Sequence, residues 1–241
     1  MGRTTDSPIL SVPSWVIPGT YAENLRFLEN KEEIDGVELL FYFYDDEIKN
    51  LLDSEWNEIK SYAKRFVFTA HLPDPLLPVH DELIIRLVPF VKHFIIHPAK
   101  VNLAAQAALL AEWAGKHNAK FLAENTNPGM IEALLPHLAE TDAGLCMDTG
   151  HLLMEDKNPA CFFKDRYAQI NEIHLHAVNR EQAAIDGKLP DHRSLQKNDP
   201  WLHDLLPMLE NYRGVINFEV FSWDEAKDSI SVFNNHKKQR K

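Results

Sequence analysis

An aspartate and a histidine three positions apart follow a short apolar run near the middle of the chain. Asp148 and His151 lie in the segment GLCMDTGHLLM, where residues 145–147 predict a strand and residues 149–150 a turn. Carboxylate and imidazole groups at the carboxyl end of a strand can bind a divalent metal ion. An aspartate before a turn also commonly caps a helix, so the pair alone does not decide between these roles.

Ionisable side chains also follow the other predicted strands from the third to the eighth. They are His71 after FVFTA, His97 after HFII, Glu124 after FLA, His174 and His176 in EIHLHAV, Asp191 and His192 in the next loop, and Glu219 in INFEV. A single histidine more often makes a structural hydrogen bond than binds metal. Burying the whole set at one place is costly unless cations compensate, so the set predicts a metal site.

The ligand types predict the class of ion rather than its identity. Imidazole and carboxylate groups suit Zn²⁺, Mn²⁺, Fe²⁺ and Co²⁺ alike. We expect Zn²⁺ or Mn²⁺ first, Fe²⁺ or Co²⁺ second, with one to three ions per chain.

Eight β-rich runs alternate with longer helical stretches, which predicts a parallel sheet with helical crossovers. The runs cover residues 9–15, 37–43, 66–70, 94–96, 120–123, 144–147, 172–177 and 215–220. Between the fourth and fifth runs, residues 101–117 have a helical composition, and Gly115 and Asn118 help to end that helix. Eight such units predict a (β/α)8 TIM barrel that forms a single domain over residues 1–241. A doubly wound sheet is the competing architecture, but no Gly-x-Gly-x-x-Gly follows the first run.

Composition limits the cellular setting and the partners. The 241 residues include 45% hydrophobic and 25% charged side chains, without an apolar run long enough to span a bilayer. We therefore expect a cytoplasmic protein that binds neither membranes nor, given its net charge of −11, long nucleic acid. Cys146 and Cys161 are expected to be reduced, and the basic segment 236–241 to be a frayed tail. Composition leaves the oligomeric state open.

Two assignments stay open at the level of sequence. His174 and His176 are two apart on a strand and can both face inward; we expect His174 to be the ligand and His176 to lie deeper or to orient a ligand, with the reverse assignment as the alternative. Glu38 comes too early in its strand for a confident ligand. A buried ion pair with Arg26 or Lys64 explains it equally well.

The strand-end constellation resembles the xylose isomerase-like barrel superfamily, which includes endonuclease IV and many sugar isomerases and epimerases. Single-metal isomerases of that superfamily use a Glu, Asp, His, Glu set, matched here by Glu124, Asp148, His174 and Glu219. The endonuclease type adds His71, His97, His151 and an Asp-x-His pair to hold three metals. Here Asp191 directly precedes His192, which puts the third metal in doubt. The segments SWVIPGT, GVELLFY, HLPDPL, MDTGHLL, HLHAV, DHRSL and FEVFS further resemble the cobamide-remodelling phosphodiesterases.

The residues favour a metal-dependent phosphodiesterase that acts on a small-molecule diester, and the second resemblance implies the nucleotide-loop diester of cobamides. Glu124 is then a bridging ligand and acts with Asp148 and Glu219 in catalysis. Arg180 and Arg193 are candidates for binding phosphate. Asn125 and His176 are further candidates for contacts with substrate.

The alternative is a single-metal sugar isomerase or epimerase, in which Glu124 and Glu219 exchange protons with a substrate carbon while His151 and Arg180 bind substrate. A non-catalytic ligand-binding barrel ranks last, because the metal-ligand set is complete. His71 and His97 separate the first two functions, since a single-metal isomerase does not need them as ligands.

Overall fold

A computed structural model describes residues 7–139 and 141–238 and confirms the predicted (β/α)8 barrel. Eight parallel strands close in the order β1-β2-β3-β4-β5-β6-β7-β8, with β8 pairing back onto β1. The strands are β1 Ile9–Pro13, β2 Gly36–Leu40, β3 Val67–His71, β4 Val91–Ile96, β5 Phe121–Glu124, β6 Gly144–Asp148, β7 Ile170–His174 and β8 Val215–Asn217.

Among residues 7–139 and 141–238, ten α-helices follow the strands. They are α1 Tyr21–Leu28, α2 Asp46–Ser61, α3 Asp81–Leu87, α4 Leu103–His117, α5 Met130–Leu134, α6 Thr149–Met154, α7 Pro159–Arg166, α8 Arg180–Asp186, α9 Pro200–Leu209 and α10 Trp223–Lys238. The helix predicted over residues 101–117 is α4, and Asn118 ends it in a left-handed conformation, at φ 54°. Gly115 lies inside this helix.

Alternation along the strands separates an apolar outer face from a polar interior. In β2, Val37 and Leu39 join the main apolar core, while Glu38 between them reaches across the barrel to His174 on β7. In β3, the hydroxyl of Thr69 donates to Glu172 on β7 at 3.2 Å. Ionisable side chains therefore line part of the barrel interior. Such residues are rarely buried in a protein core unless they are paired.

Four strands, β1, β2, β7 and β8, end earlier than predicted, and in β7 and β8 this changes the setting of two candidate residues. β7 ends at His174 and β8 at Asn217, so His176 and Glu219 lie in the loops that follow. After β8, the backbone N–H of Val220 donates to the carbonyl of Phe218 at 2.8 Å, and this tight turn ends the pairing of the strand. β4 instead begins three residues earlier than predicted, at Val91.

Neither cysteine forms a disulfide. Cys146 is a buried and Cys161 an exposed free cysteine. α10 reaches Lys238, and residues 239–241 of the predicted frayed tail lie outside the described residues. Within the described ranges, no helix is both long and apolar enough to cross a bilayer.

Candidate metal centre

Four side chains from the last four strand-loop units meet at the carboxyl end of the barrel, around one nitrogen of His174. Its Nδ1 atom lies 3.0 Å from Oε2 of Glu219, 3.5 Å from Oε2 of Glu124 and 3.9 Å from Oδ2 of Asp148. All four side chains are buried. The structure thus brings together the set that the sequence places at the strand ends.

A second group of ligand atoms surrounds the same oxygen of Glu124. Nε2 of His71 lies 3.2 Å from Oε2 of Glu124, and Nε2 of His97 lies 3.6 Å from it. The two Nε2 atoms are 3.1 Å apart. Oε2 of Glu124 therefore lies within 3.6 Å of ring nitrogens of His71, His97 and His174.

Asp148 both caps a helix and faces the cluster. Its Oδ1 accepts a hydrogen bond from the backbone N–H of His151 at 2.6 Å, which caps α6. Its Oδ2 faces His174. The cap places the ring of His151 over the cluster, with Nδ1 3.4 Å from Oε1 of Glu124.

A third group lies on the far side of Asp148. His176 contacts Oδ2 of Asp148 through Nε2 at 3.0 Å, and its ring stacks on that of His192 with 4.4 Å between centroids. The ligand atoms of His176, His192 and Glu219 lie within 4.8 Å of one another. Asp191 approaches His192 only to 3.9 Å. His192 adopts a left-handed backbone, at φ 52°, and strain of this kind is common at functional sites.

Gly150 is required by the close packing of this third group. A Cβ atom at Gly150 would lie 2.0 Å from Cε1 of His176. Because real contacts are never this short, a side chain at position 150 would displace the imidazole from Asp148. The glycine of the MDTGH segment therefore makes room for His176.

Two buried imidazole nitrogens are available as ligand atoms for a metal ion. Nδ1 of His174 and Nδ1 of His151 are buried, and neither has a hydrogen-bond partner among the described residues. Ligand atoms about 2.1 Å from a tetrahedral ion lie roughly 3.4 Å from one another. The separations around His174, from 3.0 to 3.9 Å, span that value. The residues fit a divalent cation.

Outer contacts fix the orientation of the ligand rings. Nδ1 of His71 donates to the carbonyl of Leu72 at 3.0 Å, and Nδ1 of His97 lies 3.1 Å from Oδ2 of Asp74. Both rings therefore turn Nε2 towards Glu124. The hydroxyl of Tyr42 donates to Oε1 of Glu219 at 2.8 Å and leaves Oε2 facing His174. Such contacts select the ligand atom and hold it in place.

The buried groups shift one another's pKa values strongly. Burial disfavours charge on His97 and His176, but Glu124 and Asp148 outweigh it and raise the pKa of His97 to about 10 and the pKa of His176 to about 9. Burial also raises the pKa of Glu124, yet His97 and His71 hold that pKa well below its usual range. Without a cation, protons on the imidazoles balance the carboxylates, and divalent ions would supply the same positive charge.

Three residues expected to contact substrate are engaged elsewhere. Both ends of the Asn125 amide bond the backbone of Asp148, at 2.8 and 2.9 Å, so Asn125 positions a ligand. The guanidinium of Arg193 pairs with Asp186 at 3.1 Å. Arg180 donates to the carbonyl of Met154 at 2.8 Å on the exposed rim. His176, the fourth, is fully buried behind Asp148.

A cavity of about 1080 Å³ opens beside the cluster, with His97 and His151 in its wall. The loops after β3, β4 and β5 and residues of α4 line it with apolar side chains such as Leu77 and Val101 and with polar ones such as Thr126. Lys100 is the single lysine or arginine among its described lining residues. The cavity therefore borders the cluster at His97 and His151.

Sequence reasoning missed Glu38, Tyr42 and Asp74. The Nε2 atom of His174 contacts Oε2 of Glu38 at 2.9 Å, so the proposed pairing of Glu38 with Arg26 or Lys64 was wrong; Arg26 pairs with Glu58 instead. The sequence contained one indication for Glu38. Side chains two residues apart on a strand lie on the same face, so Glu38 lies on the same face as Leu40 at the end of β2.

The chain matches no protein-family model and no curated protein, but it is similar in structure to several solved proteins. A probable 3-DHS dehydratase, AsbF, involved in petrobactin synthesis from Bacillus anthracis superposes with a TM-score of 0.67 at 12% identity, over 95% of this chain and 98% of that one. The 3-keto-D-glucoside 4-epimerase YcjR from E. coli gives 0.65 at 14%, over 96% and 100%. The IOLI protein with a bound zinc atom gives 0.66 at 14%, over 96% of each chain. At these identities the likeness establishes the fold alone, a (β/α)8 TIM barrel.

Proposed function

We propose that this chain is a metal-dependent phosphodiesterase. The observation that carries the proposal is the position of Oε2 of Glu124 between His174 and the pair His71 and His97, at 3.5, 3.2 and 3.6 Å. A single-metal site is already complete with Glu124, Asp148, His174 and Glu219. The two additional imidazoles supply ligands for a second cation, which hydrolysis of a diester uses and isomerisation does not need.

The proposed ligand sets follow the three groups of the cluster. Glu124, Asp148, His174 and Glu219 would hold one ion, and His71 and His97 with Glu124 a second. His192 with His176 and Glu219, whose ligand atoms lie within 4.8 Å of one another, would hold a third ion or the substrate phosphate. His151, which the sequence assigns to that set with Asp191, lies beside Glu124 instead. Bound Zn²⁺ or Mn²⁺, or Fe²⁺ or Co²⁺, would lower the pKa of water and stabilise charge on the phosphate and the leaving oxygen.

The protein side chains would position and move the protons. Asp148 and Glu219 present one oxygen each to the centre, while their other oxygens are held by the N–H of His151 and the hydroxyl of Tyr42. Each carboxylate is thereby fixed as an acceptor for a proton from the attacking water. His176 donates from Nε2 to Oδ2 of Asp148 at 3.0 Å and thereby orients that oxygen.

The substrate class that we propose is a small diester with an organic arm. The apolar part of the cavity wall, which includes Leu76, Leu77 and Val101, suits such an arm. Several sequence segments resemble those of the cobamide-remodelling phosphodiesterases. On this ground we propose the nucleotide-loop diester of cobamides as the substrate.

A sugar isomerase or epimerase is the second candidate, and the structural comparisons favour it over hydrolysis. An epimerase is among the structurally similar proteins, and none of those described above is a phosphodiesterase. In this function the single-metal set polarises a substrate carbonyl and hydroxyl, and Glu124 and Glu219 exchange protons with the adjacent carbon. His151, which lines the cavity, would bind the sugar.

A substrate panel decides between the two functions. Purified protein with counted metal is assayed on cobalamin-type diesters, bis-p-nitrophenyl phosphate and a set of ketoses. We expect cleavage of diesters without epimerisation. Epimerisation of a ketose with no diester cleavage would replace the first proposal by the second.

A further inference from the structure

We propose that Glu38 is a positioning residue that determines which nitrogen of His174 faces the metal centre. Oε2 of Glu38 lies 2.9 Å from Nε2 of His174, and both side chains are completely buried. The inference rests on the proposed metal centre, but not on the choice between phosphodiesterase and isomerase, since His174 belongs to the ligand set of both.

The two ring nitrogens of His174 are held on opposite sides. Nε2 donates to Glu38, which requires the proton to be on Nε2. Nδ1 is then free to present its lone pair between Glu219, at 3.0 Å, and Glu124, at 3.5 Å. Without an acceptor at position 38, the proton can move to Nδ1 or the ring can turn, and either change removes the donor from the centre.

Glu38 is itself held in place for this contact. The side-chain amide of Asn217 donates to the same Oε2 atom at 3.1 Å. The other oxygen, Oε1, has no hydrogen-bond partner among the described residues. A buried carboxylate with an unpartnered oxygen costs stability. Its contact with His174 gives a functional reason for this cost.

A second carboxylate inside the barrel provides a matched control. Glu172 lies two residues before His174 on β7 and is also completely buried. It contacts the imidazole of His93 and the hydroxyl of Thr69. Glu172→Gln therefore makes the same substitution in the barrel interior without removing the acceptor of a ligand ring.

The test measures the affinity of metal-free protein for Zn²⁺ by competition with a chelator. Glu38→Gln keeps an oxygen acceptor, so we expect about tenfold weaker binding; Glu38→Leu removes it, so we expect about 100-fold. Glu172→Gln should change affinity about threefold or less. Thermal unfolding of each metal-free variant shows whether the fold is retained. Long-range ¹H–¹⁵N NMR should find the Nε2–H form of His174 in the zinc-loaded wild type.

The outcomes separate this inference from the proposed function. If the wild type binds no divalent ion, the metal centre and the role of Glu38 both fail. If it binds Zn²⁺ and folded Glu38→Leu binds it as tightly, only the role of Glu38 fails. Zinc coordination through Nε2 of His174 also overturns it, and this measurement remains available if Glu38→Leu does not fold.

Discussion

The Nε2 atoms of His71 and His97 lie 3.1 Å apart, and in the neutral form of each ring Nε2 carries no proton. His71 donates from Nδ1 to the carbonyl of Leu72, and His97 directs Nδ1 to Asp74. Two neutral rings held this way present two lone pairs to each other. A positive charge must lie between them, either as an extra proton or as a metal ion, and the nearby Glu124 carboxylate stabilises either one.

Glu124→Gln should abolish turnover while leaving the barrel folded. The substitution keeps the size of the side chain but removes the charge shared by the two groups of ligands. We expect kcat to fall by ~100-fold or more, the scale seen when a group that stabilises transition-state charge is lost. Turnover, metal content and thermal unfolding are measured together, and near-normal turnover with unchanged metal content would exclude Glu124 as bridge or base.

Gly150→Ala should destabilise the protein by about 1–3 kcal/mol, because the new Cβ atom overlaps the ring of His176. Gly115→Ala is the matched control, since Gly115 lies within α4 and a Cβ there meets nothing within 4 Å. The control should gain about 0.5–1 kcal/mol from helix propensity. Urea unfolding measures both changes. Equal effects of the two substitutions would show that the packing around His176 tolerates a methyl group.

Lys100→Met should raise KM for anionic diesters. Lys100 lines the cavity that leads to His97, and its charge attracts the substrate phosphate. Because Lys100 is exposed, we expect a contribution of about 1 kcal/mol, or roughly fivefold in KM. Lys116→Met, which removes a lysine paired with Asp81, is the control. An equal KM for wild type and Lys100→Met on an anionic diester would exclude this role.

Acid should destabilise the folded protein through His80. Burial lowers the pKa of His80, and its Nδ1 accepts a hydrogen bond from the backbone N–H of Leu77 at 3.2 Å. Above its ordinary pKa of 6.5 the ring is neutral in both the folded and the unfolded chain. Below 6.5 the unfolded chain binds a proton that the folded state resists, so the free energy of unfolding falls as pH falls.

Unfolding in urea at pH 7 and pH 5 measures this effect in wild type and His80→Asn. The loss of stability between the two pH values should be smaller in the variant, which cannot bind the proton. An equal loss in both proteins would assign the pH dependence to other groups.

The sequence predicted the barrel and the strand-end residues because both follow from local patterns. Alternation and apolar runs predict strands, and parallel strands of one barrel end on the same face. The partner of Glu38 could not be predicted in this way. His174 is 136 residues away, and only closure of the barrel places β2 opposite β7.

The ion pair between Arg193 and Asp186 could not be predicted from the sequence either, because loop residues follow no periodic pattern. Its guanidinium could face either phosphate or a neighbouring carboxylate, and the fold of the loop between Asp186 and Arg193 decides this. Residues whose roles depend on contacts between distant segments, or on loop conformation, therefore required the structure.

The number of divalent ions bound per chain tests the central claim most directly. Metal is counted in untreated wild type, His71→Ala and His97→Ala, and each sample is assayed for diester cleavage. We predict at least two ions in the wild type, the loss of at least one in each variant, and a parallel loss of cleavage. One ion per chain in all three proteins, with no diester cleavage and with ketose epimerisation by the wild type, would contradict the account.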